Sequence, residues 1–479
     1  MAATPMTGGE ALVRSLYQEG VRMVFGLPGV QLYGVMAALR DEPRIRFVNT
    51  RHEQATSFMA DGYARAGGGV GTALVVPGPG LLNAMSGLST AYSASSPVLM
   101  LSGQIPRDSI GRDIGLLHEV NDQQECIRPV TKWRRRVLQV ADVPAAVREA
   151  MIQLRSGRPR PVEIEMPPET MEDEGLVELL PPAEVTRAVA PARDLDRAAD
   201  LLLASRTPLI YAGGGVHLAG AHDALAQVAE HLQAGVAQSA EGKGAVSDHN
   251  TLSLGAAFWR DSALRAHIHE ADVVLAVGSR LAGVSFKPGT RIVQIDADEH
   301  EIGRSHKDTL GLVGDARATL EALLERLRAA SPPRPSRKSE HEALRARIAA
   351  ENTMEPNASI IKSLRAGAPD NTILVAGMTQ IGTTRGHSGR STSRARISRR
   401  RTPATSATPT RSPWGRRSPA RIGRWSRSPA TAASSSTPRS SRPPRATAST
   451  WWRWSSTTAP TATWPATSTS PGAGNTAPS

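Results

Sequence analysis

Residues 46–83 read RFVNTRHEQATSFMADGYARAGGGVGTALVVPGPGLLN, and the order of patterns in this stretch decides the fold. A short apolar run at 46–48 gives way to Thr50-Arg51-His52-Glu53-Gln54-Ala55, which opens a helix expected to close around Asp61-Gly62-Tyr63-Ala64-Arg65. A second apolar run at 73–76 enters Pro77-Gly78-Pro79-Gly80 and a further helix that carries Asn83. Apolar strands alternating with helical patterns predict a parallel sheet with crossover helices.

The same rhythm extends over residues 9–175. Ala11, Leu12, Leu16 and Val24 are expected to mark one helix face, and 98–102 and 162–165 read as strands. Residues 166–193, rich in Pro, Glu and Ala, read as an interdomain linker. A second α/β unit follows, with strands at 208–212, ending in Gly213-Gly214-Gly215, at 273–278 and at 291–296. A Pro/Ser/Arg-rich linker near 331–339 leads into a helix and a strand at 372–376 that opens a third unit. The expected fold class is therefore α/β: two doubly wound parallel-sheet domains at 1–175 and 190–330, the start of a third at 355–382, and a disordered C-terminal tail at 383–479.

Charge separates the tail from the rest. Residues 383–479 hold 17 arginines and no Asp, Glu or Lys; without them the chain's net charge of +13 becomes −4 for residues 1–382. The basic balance belongs to the tail, and the body has no nucleic-acid signature. The single cysteine, Cys126, permits neither an internal disulfide nor a cysteine-based zinc site. The opening MAATPMTGGEALVRSLYQEG has no basic start and no long apolar run, and no apolar stretch is long enough to span a bilayer. The expected location is the cytoplasm, with no membrane partner.

Ser/Thr/Pro/Arg-rich segments ordinarily read as disorder. Six of the eight tryptophans also lie in this tail, a mixture natural to a GC-rich gene translated out of frame. Shifting the frame by one base tests the idea: the codons then permit Gly-Asp-Gly near codon 431, Asn-Asp-Gly near codon 457, and a protein-like run directly after Gly382. The expectation is a frameshift at about Gly382. The competing interpretation is a non-catalytic protein whose arginine- and tryptophan-bearing tail touches nucleic acid.

The chemistry-bearing positions all fall after strands. A Glu in a first helical turn, such as Glu53, commonly serves the positive end of the helix dipole. Around it, however, stand Gly26-Leu27-Pro28-Gly29, Pro77-Gly78-Pro79-Gly80 with Asn83, and Gly103-Gln104. Each lies at the carboxyl end of a strand of one inferred parallel sheet, where open α/β sheets hold their ligands. Glycines in such turns let a flat ligand approach the backbone. His52 and His118 have no second ligand at helical spacing and read as packing or substrate-side residues; no metal ligand is expected from this half.

On these segments, together with Ala60-Asp61-Gly62-Tyr63-Ala64-Arg65 and Arg128-Pro129-Val130-Thr131-Lys132, the chain resembles the acetolactate synthase-like family of thiamine-diphosphate enzymes over about residues 8–382. The resemblance implies that 1–175 is a pyrimidine-binding domain and 355–382 the start of a diphosphate-binding one. It implies thiamine diphosphate and magnesium as cofactors, a small 2-keto acid as substrate, and a homodimer or homotetramer. By the same resemblance Glu53 supplies the proton to the cofactor's aminopyrimidine. Pro28, Gly29, Pro79 and Asn83 line the cofactor, and Gln104 faces the reacting substrate as a second catalytic residue. In the central domain Gly213-Gly214-Gly215, Gly278-Ser279-Arg280 and Ile295-Asp296-Ala297-Asp298 are similar to segments that hold FAD or an ADP moiety in some members, which leaves FAD open here. The implied activity is carboligation of 2-keto acids, with decarboxylation of a 2-keto acid or acyl-CoA as the alternative. The chain as written is expected to be catalytically silent, because the diphosphate side is lost.

Overall fold

A computed structural model describes residues 2–256, 262–351, 355–369, 372, 373 and 375. The N-terminal region begins with β1 (Thr4–Thr7) and a helix at Gly8–Gln18, started by a capping box in which Thr7 and Glu10 bond reciprocally. Then come β2 (Met23–Gly26), β3 (Arg46–Asn49), β4 (Gly71–Val75), β5 (Val98–Gly103), β6 (Trp133–Arg136), β7 (Val162–Met166) and β8 (Glu174–Val177). The main sheet runs in the order β3-β2-β4-β5-β7-β6, every pair parallel. β4, β5 and β7 are buried along their whole length; β4 and β5 accordingly appear in the sequence as apolar runs, whereas β7 alternates Glu with apolar residues.

Side chains alternate between the two faces of this sheet. Val24, Leu74, Leu99 and Ile164 pack under the helices Gly8–Gln18 and Val143–Arg155. Phe25, Ala73, Val75 and Met100 pack under the helices Glu53–Tyr63 and Pro79–Ala94. Val24, expected on a helix face, is therefore a strand residue. The helix stops before it because Gly20 takes φ 87°, a left-handed conformation that ends the turn.

The segment expected as a linker at 166–193 is partly structured. It holds a short helix, Pro168–Glu172, and β8, which pairs antiparallel with β1 so that Thr4 faces Val177 and Thr7 faces Glu174. The pairing joins residues far apart in sequence, and no local pattern announces it.

The central domain has a second parallel sheet built from β9 (Pro208–Ala212), β10 (Gly235–Gln238), β11 (Ser253–Ala256), β12 (Val273–Val277), β13 (Arg291–Asp296) and β14 (Thr309–Val313). Their order is β11-β10-β9-β12-β13-β14. Helices Ala192–Ala204, His222–Leu232 and Ala316–Ala330 cover one face, and Ala263–His269 with part of Lys338–Ala350 covers the other. Two doubly wound α/β units therefore stand as expected. A helix at Asn357–Gly367 follows, but of the strand expected at 372–376 the described Thr372, Ile373 and Val375 are not in a strand, and Val375 is exposed. The remainder of that expected strand, and the tail at 383–479, lie outside the described residues.

Candidate active site

The strand order reverses direction between β2 and β4, and the crevice outside the carboxyl ends of strands at such a switch point is where open α/β sheets bind ligands. Two turns meet there. Gly26-Leu27-Pro28-Gly29 leaves β2, with Pro28 exposed and Gly29 half-buried, and Pro77-Gly78-Pro79-Gly80 leaves β4. A Cβ on Gly29 would come 2.3 Å from Val76 Cγ1, and one on Gly80 2.6 Å from Val76 Cγ2, so the two turns close on one valine and leave no space for side chains. Gly78 has φ 55° and ψ −118°, and a Cβ there would stand 2.3 Å from the His118 carbonyl oxygen. Both the backbone conformation and the contact demand glycine. Pro79 then supplies the first residue of the helix Pro79–Ala94, where its missing N–H costs nothing.

Beside β2, β3 ends at Asn49, and His52 caps the next helix by accepting the Gln54 N–H on Nδ1 at 3.1 Å. Glu53 is thereby fixed in the first turn, half-buried. Its Oε2 accepts from Asn83 Nδ2 at 3.1 Å, and a Cβ on Gly80 would lie 3.8 Å from its Cγ. Glu53, Asn83, Pro79 and Gly80 form one continuous surface, with Pro79 and Asn83 exposed. His52 thus has a capping role, and His118 reaches this place through its backbone.

Gln104 follows directly on the last residue of β5. It is buried; its Nε2 donates to Glu165 Oε1 at 3.0 Å and its Oε1 accepts the Ile105 N–H at 2.7 Å. The buried carboxylate of Glu165, near the carboxyl end of the neighbouring β7, thus holds its amide. Two buried acids there, Glu163 and Glu165, with Gln123, Ser102 and Arg136, had no place in the sequence reading. The one signal available was the alternation of Glu in VEIEM, which by itself suggests a solvent face. Burial, then repulsion from Glu165, pushes the Glu163 carboxyl up to about 8. Lys132 of the quoted Arg128–Lys132 segment donates to Gln153 O and Ser156 O, both at 2.8 Å, and so caps the helix Val143–Arg155.

Residues 6–126 match the thiamine pyrophosphate enzyme N-terminal TPP binding domain, and residues 195–323 match the central domain of the same enzymes. A protein of Pseudomonas aeruginosa named as a probable 2-ketoarginine decarboxylase is 35% identical over 393 residues, 78% of this chain and 68% of that protein. The chain belongs to the thiamine pyrophosphate enzyme family. A probable acetolactate synthase large subunit of Methanocaldococcus jannaschii is 35% identical over 336 residues, covering 67% of this chain and 56% of the relative. The acetolactate synthase isozyme 3 large subunit of Escherichia coli is 35% identical over 343 residues, 69% of this chain and 59% of the relative. The chain thus spans a little over half the length of these two synthase relatives.

As a thiamine pyrophosphate family member the chain also carries the central glycines at a switch point, between β9 and β12. A Cβ on Gly213 would come 2.2 Å from Gly278 O, and one on Gly215 2.6 Å from Gly278 Cα. The glycines let two turns pack backbone against backbone, which accounts for them without a flavin. Next to them Arg280 Nη2 donates to Ser93 O at 2.9 Å, and the buried Glu301 receives Arg158 at 2.5 Å and Arg304 at 3.1 Å, linking the two domains. Among the described residues no cluster of three or more His, Cys, Asp or Glu side chains could hold a metal, and no helix is long and apolar enough to cross a membrane.

Proposed function

We propose that this chain carries the pyrimidine-side half of a thiamine-diphosphate site of an enzyme that decarboxylates 2-keto acids and joins the product to a second one, in the manner of an acetolactate synthase. The observation that carries the reading is the Glu53–Asn83 contact beside the Gly78–Gly80 turn at the sheet's switch point. When bound, thiamine diphosphate supplies the carbon acid and the electron sink that 2-keto-acid decarboxylation needs. Glu53 has the chemistry to meet a ring nitrogen: Asn83 occupies Oε2, leaving Oε1 to carry a proton towards the aminopyrimidine. Pro28, Gly29 and Pro79 give the ring a surface to lie against, and Val76, packed between Gly29 and Gly80, holds the two turns together beneath it. The proposal gives Gln104 no direct contact with substrate, since both ends of its amide are engaged.

The diphosphate and its magnesium need hard oxygen ligands. Residues 383–479 contain no Asp or Glu to provide them, so the proposal includes a frameshift near codon 382 and a chain that is silent as written. It also takes the domain boundaries at 1–175, 190–330 and 355–382, a cytoplasmic location, and a homodimer or homotetramer. The exposed Phe58, Met59 and Leu82 on the two helices that flank the site support self-association. A flavin in the central domain is not part of the proposal, because the glycines there are explained by packing. The likeness to a probable 2-ketoarginine decarboxylase favours simple decarboxylation as the second reading. Calorimetric titration of the 479-residue chain with thiamine diphosphate and magnesium should show no tight binding, while the frame-restored chain should bind both. Stoichiometric, magnesium-dependent binding and pyruvate turnover by the chain as written would overturn the frameshift.

A further inference from the structure

Beneath the candidate site lies a closed set of buried polar groups that the cofactor reading leaves unused. Glu163 and Glu165 project from β7 on the same face, both fully buried. Ser102 Oγ donates to Glu163 Oε1 at 2.7 Å, which leaves the hydroxyl oxygen to accept Gln123 Nε2 at 3.3 Å. The same Gln123 amide nitrogen reaches Gly103 O at 2.9 Å and Glu165 Oε2 at 3.0 Å. Glu165 Oε1 accepts from Gln104 and, in a short contact, from Arg136 Nε. Every group on the Nε2 side of Gln123 is therefore an acceptor, and the amide has one permitted orientation.

That orientation turns Gln123 Oε1 to the Gly78 N–H, which it accepts at 2.8 Å. Pro77 and Pro79 have no N–H, and Gly80 spends its own on Pro77 O within the turn. The Gly78 amide is thus the turn's donor to the sheet. Displacing it would move Pro79 at the helix start and, one turn on, Asn83 with its bond to Glu53. The charged groups facing the acid pair are Arg136 and Arg134 of β6; Glu125, on the helix of Gln123, is taken by Arg128 and Arg134. The helix Pro79–Ala94 adds no charge.

We propose that Gln123 is a positioning residue for the candidate cofactor site, clamping the Pro77–Gly80 turn through the Gly78 amide in the orientation that Glu165 and Ser102 dictate. The proposal rests on the reading of Glu53, Pro79 and Asn83 as the pyrimidine-side surface. Its logic makes an isosteric change decisive. In Glu165→Gln the new carbonyl oxygen must turn to Arg136 and Gln104, both donors, so the new NH2 faces Gln123. The two NH2 groups then face each other, and Gln123 can relieve the clash only by withdrawing from residue 165 or by turning its oxygen against Gly103 O; either movement pulls Oε1 off the Gly78 N–H with no change in volume.

The experiment is amide hydrogen exchange on the full chain labelled with 15N-glycine. Gly78 should exchange roughly tenfold faster or more in both Gln123→Leu and Glu165→Gln, with Gly71 and Gly103 within about threefold of the unsubstituted protein. A space-filling role for Gln123 predicts no change in Glu165→Gln, and that result would overturn the clamp; the isosteric variant keeps the test open if Gln123→Leu fails to fold. Millimolar thiamine, added to the same samples, should shift the Gly78 and Gly80 resonances of the unsubstituted chain and lose that effect in Gln123→Leu. Absence of any thiamine shift in the unsubstituted chain would overturn the cofactor reading and with it the positioning role, separately from the exchange result.

Discussion

Replacing Glu163 by Gln should change how stability depends on pH more than stability itself. Glu163 is fully buried, accepts from Ser102 on Oε1, and has no hydrogen-bond partner on Oε2. Its carboxyl moves from 4.5 to about 8, first through burial and then through the nearby Glu165. Below pH 4.5 folded and unfolded chains both hold the proton, and the contribution to stability is fully present. Between 4.5 and about 8 only the folded chain holds it, so stability falls as pH rises through that window. At about 1.4 kcal/mol per pH unit the loss is on the order of a few kcal/mol. A Gln side chain can accept from Ser102 with its carbonyl oxygen and places an NH2 where Oε2 had no partner, a cost of about 1 kcal/mol at any pH. Glu163→Gln should therefore be slightly less stable than the parent at pH 5 and more stable at pH 8.5. Urea unfolding of the full chain, followed by far-UV circular dichroism at fixed ionic strength from pH 5 to 8.5, reads the crossing. Stability curves that stay parallel across that range would refute the reasoning, since they would mean that Glu163 titrates alike in both states.

Gly78→Ala should cost about 2–4 kcal/mol, because a Cβ there meets the His118 carbonyl oxygen at 2.3 Å and φ is 55°; an unchanged urea midpoint would contradict the turn geometry. Glu301→Ala leaves Arg158 without its buried partner and should lower stability by roughly 3–5 kcal/mol, while Arg304→Ala, whose own side chain is exposed, should cost under about 1 kcal/mol. Equal losses in the two variants, measured by the same unfolding assay, would show that the interdomain cluster does not centre on Glu301. In a frame-restored chain Glu53→Gln should fold yet slow deuterium exchange at the cofactor's reactive carbon by a factor on the order of 100 or more; parent-like exchange would remove Glu53 from its proposed role.

What was legible in the sequence follows from how each feature is encoded. β4, β5, β9, β12 and β13 are interior strands of parallel sheets, and burial on both faces writes them as largely apolar runs. β6 is TrpArgArgArg at a sheet edge, and β10 and β11 are four-residue strands containing glycine, so neither composition nor period announced them. Val24 went to the wrong element because the apolar spacing continues across Gly20 while the backbone reverses there. That Glu53, Pro79, Gly80 and Asn83 lie together was legible because turn chemistry is local: a glycine or proline just after a strand states what the next few residues must do. The direction of Gln104 was not local. It is set by Glu165, 61 residues later, and Glu165 is set in turn by Arg136 and Gln123. Buried polar networks have no period, and each member reads in isolation as an ordinary surface residue. The same property makes them exacting once folded. An acceptor-only group such as Glu165 permits one arrangement of the amides around it, and through Gln123 that arrangement reaches the Gly78 turn.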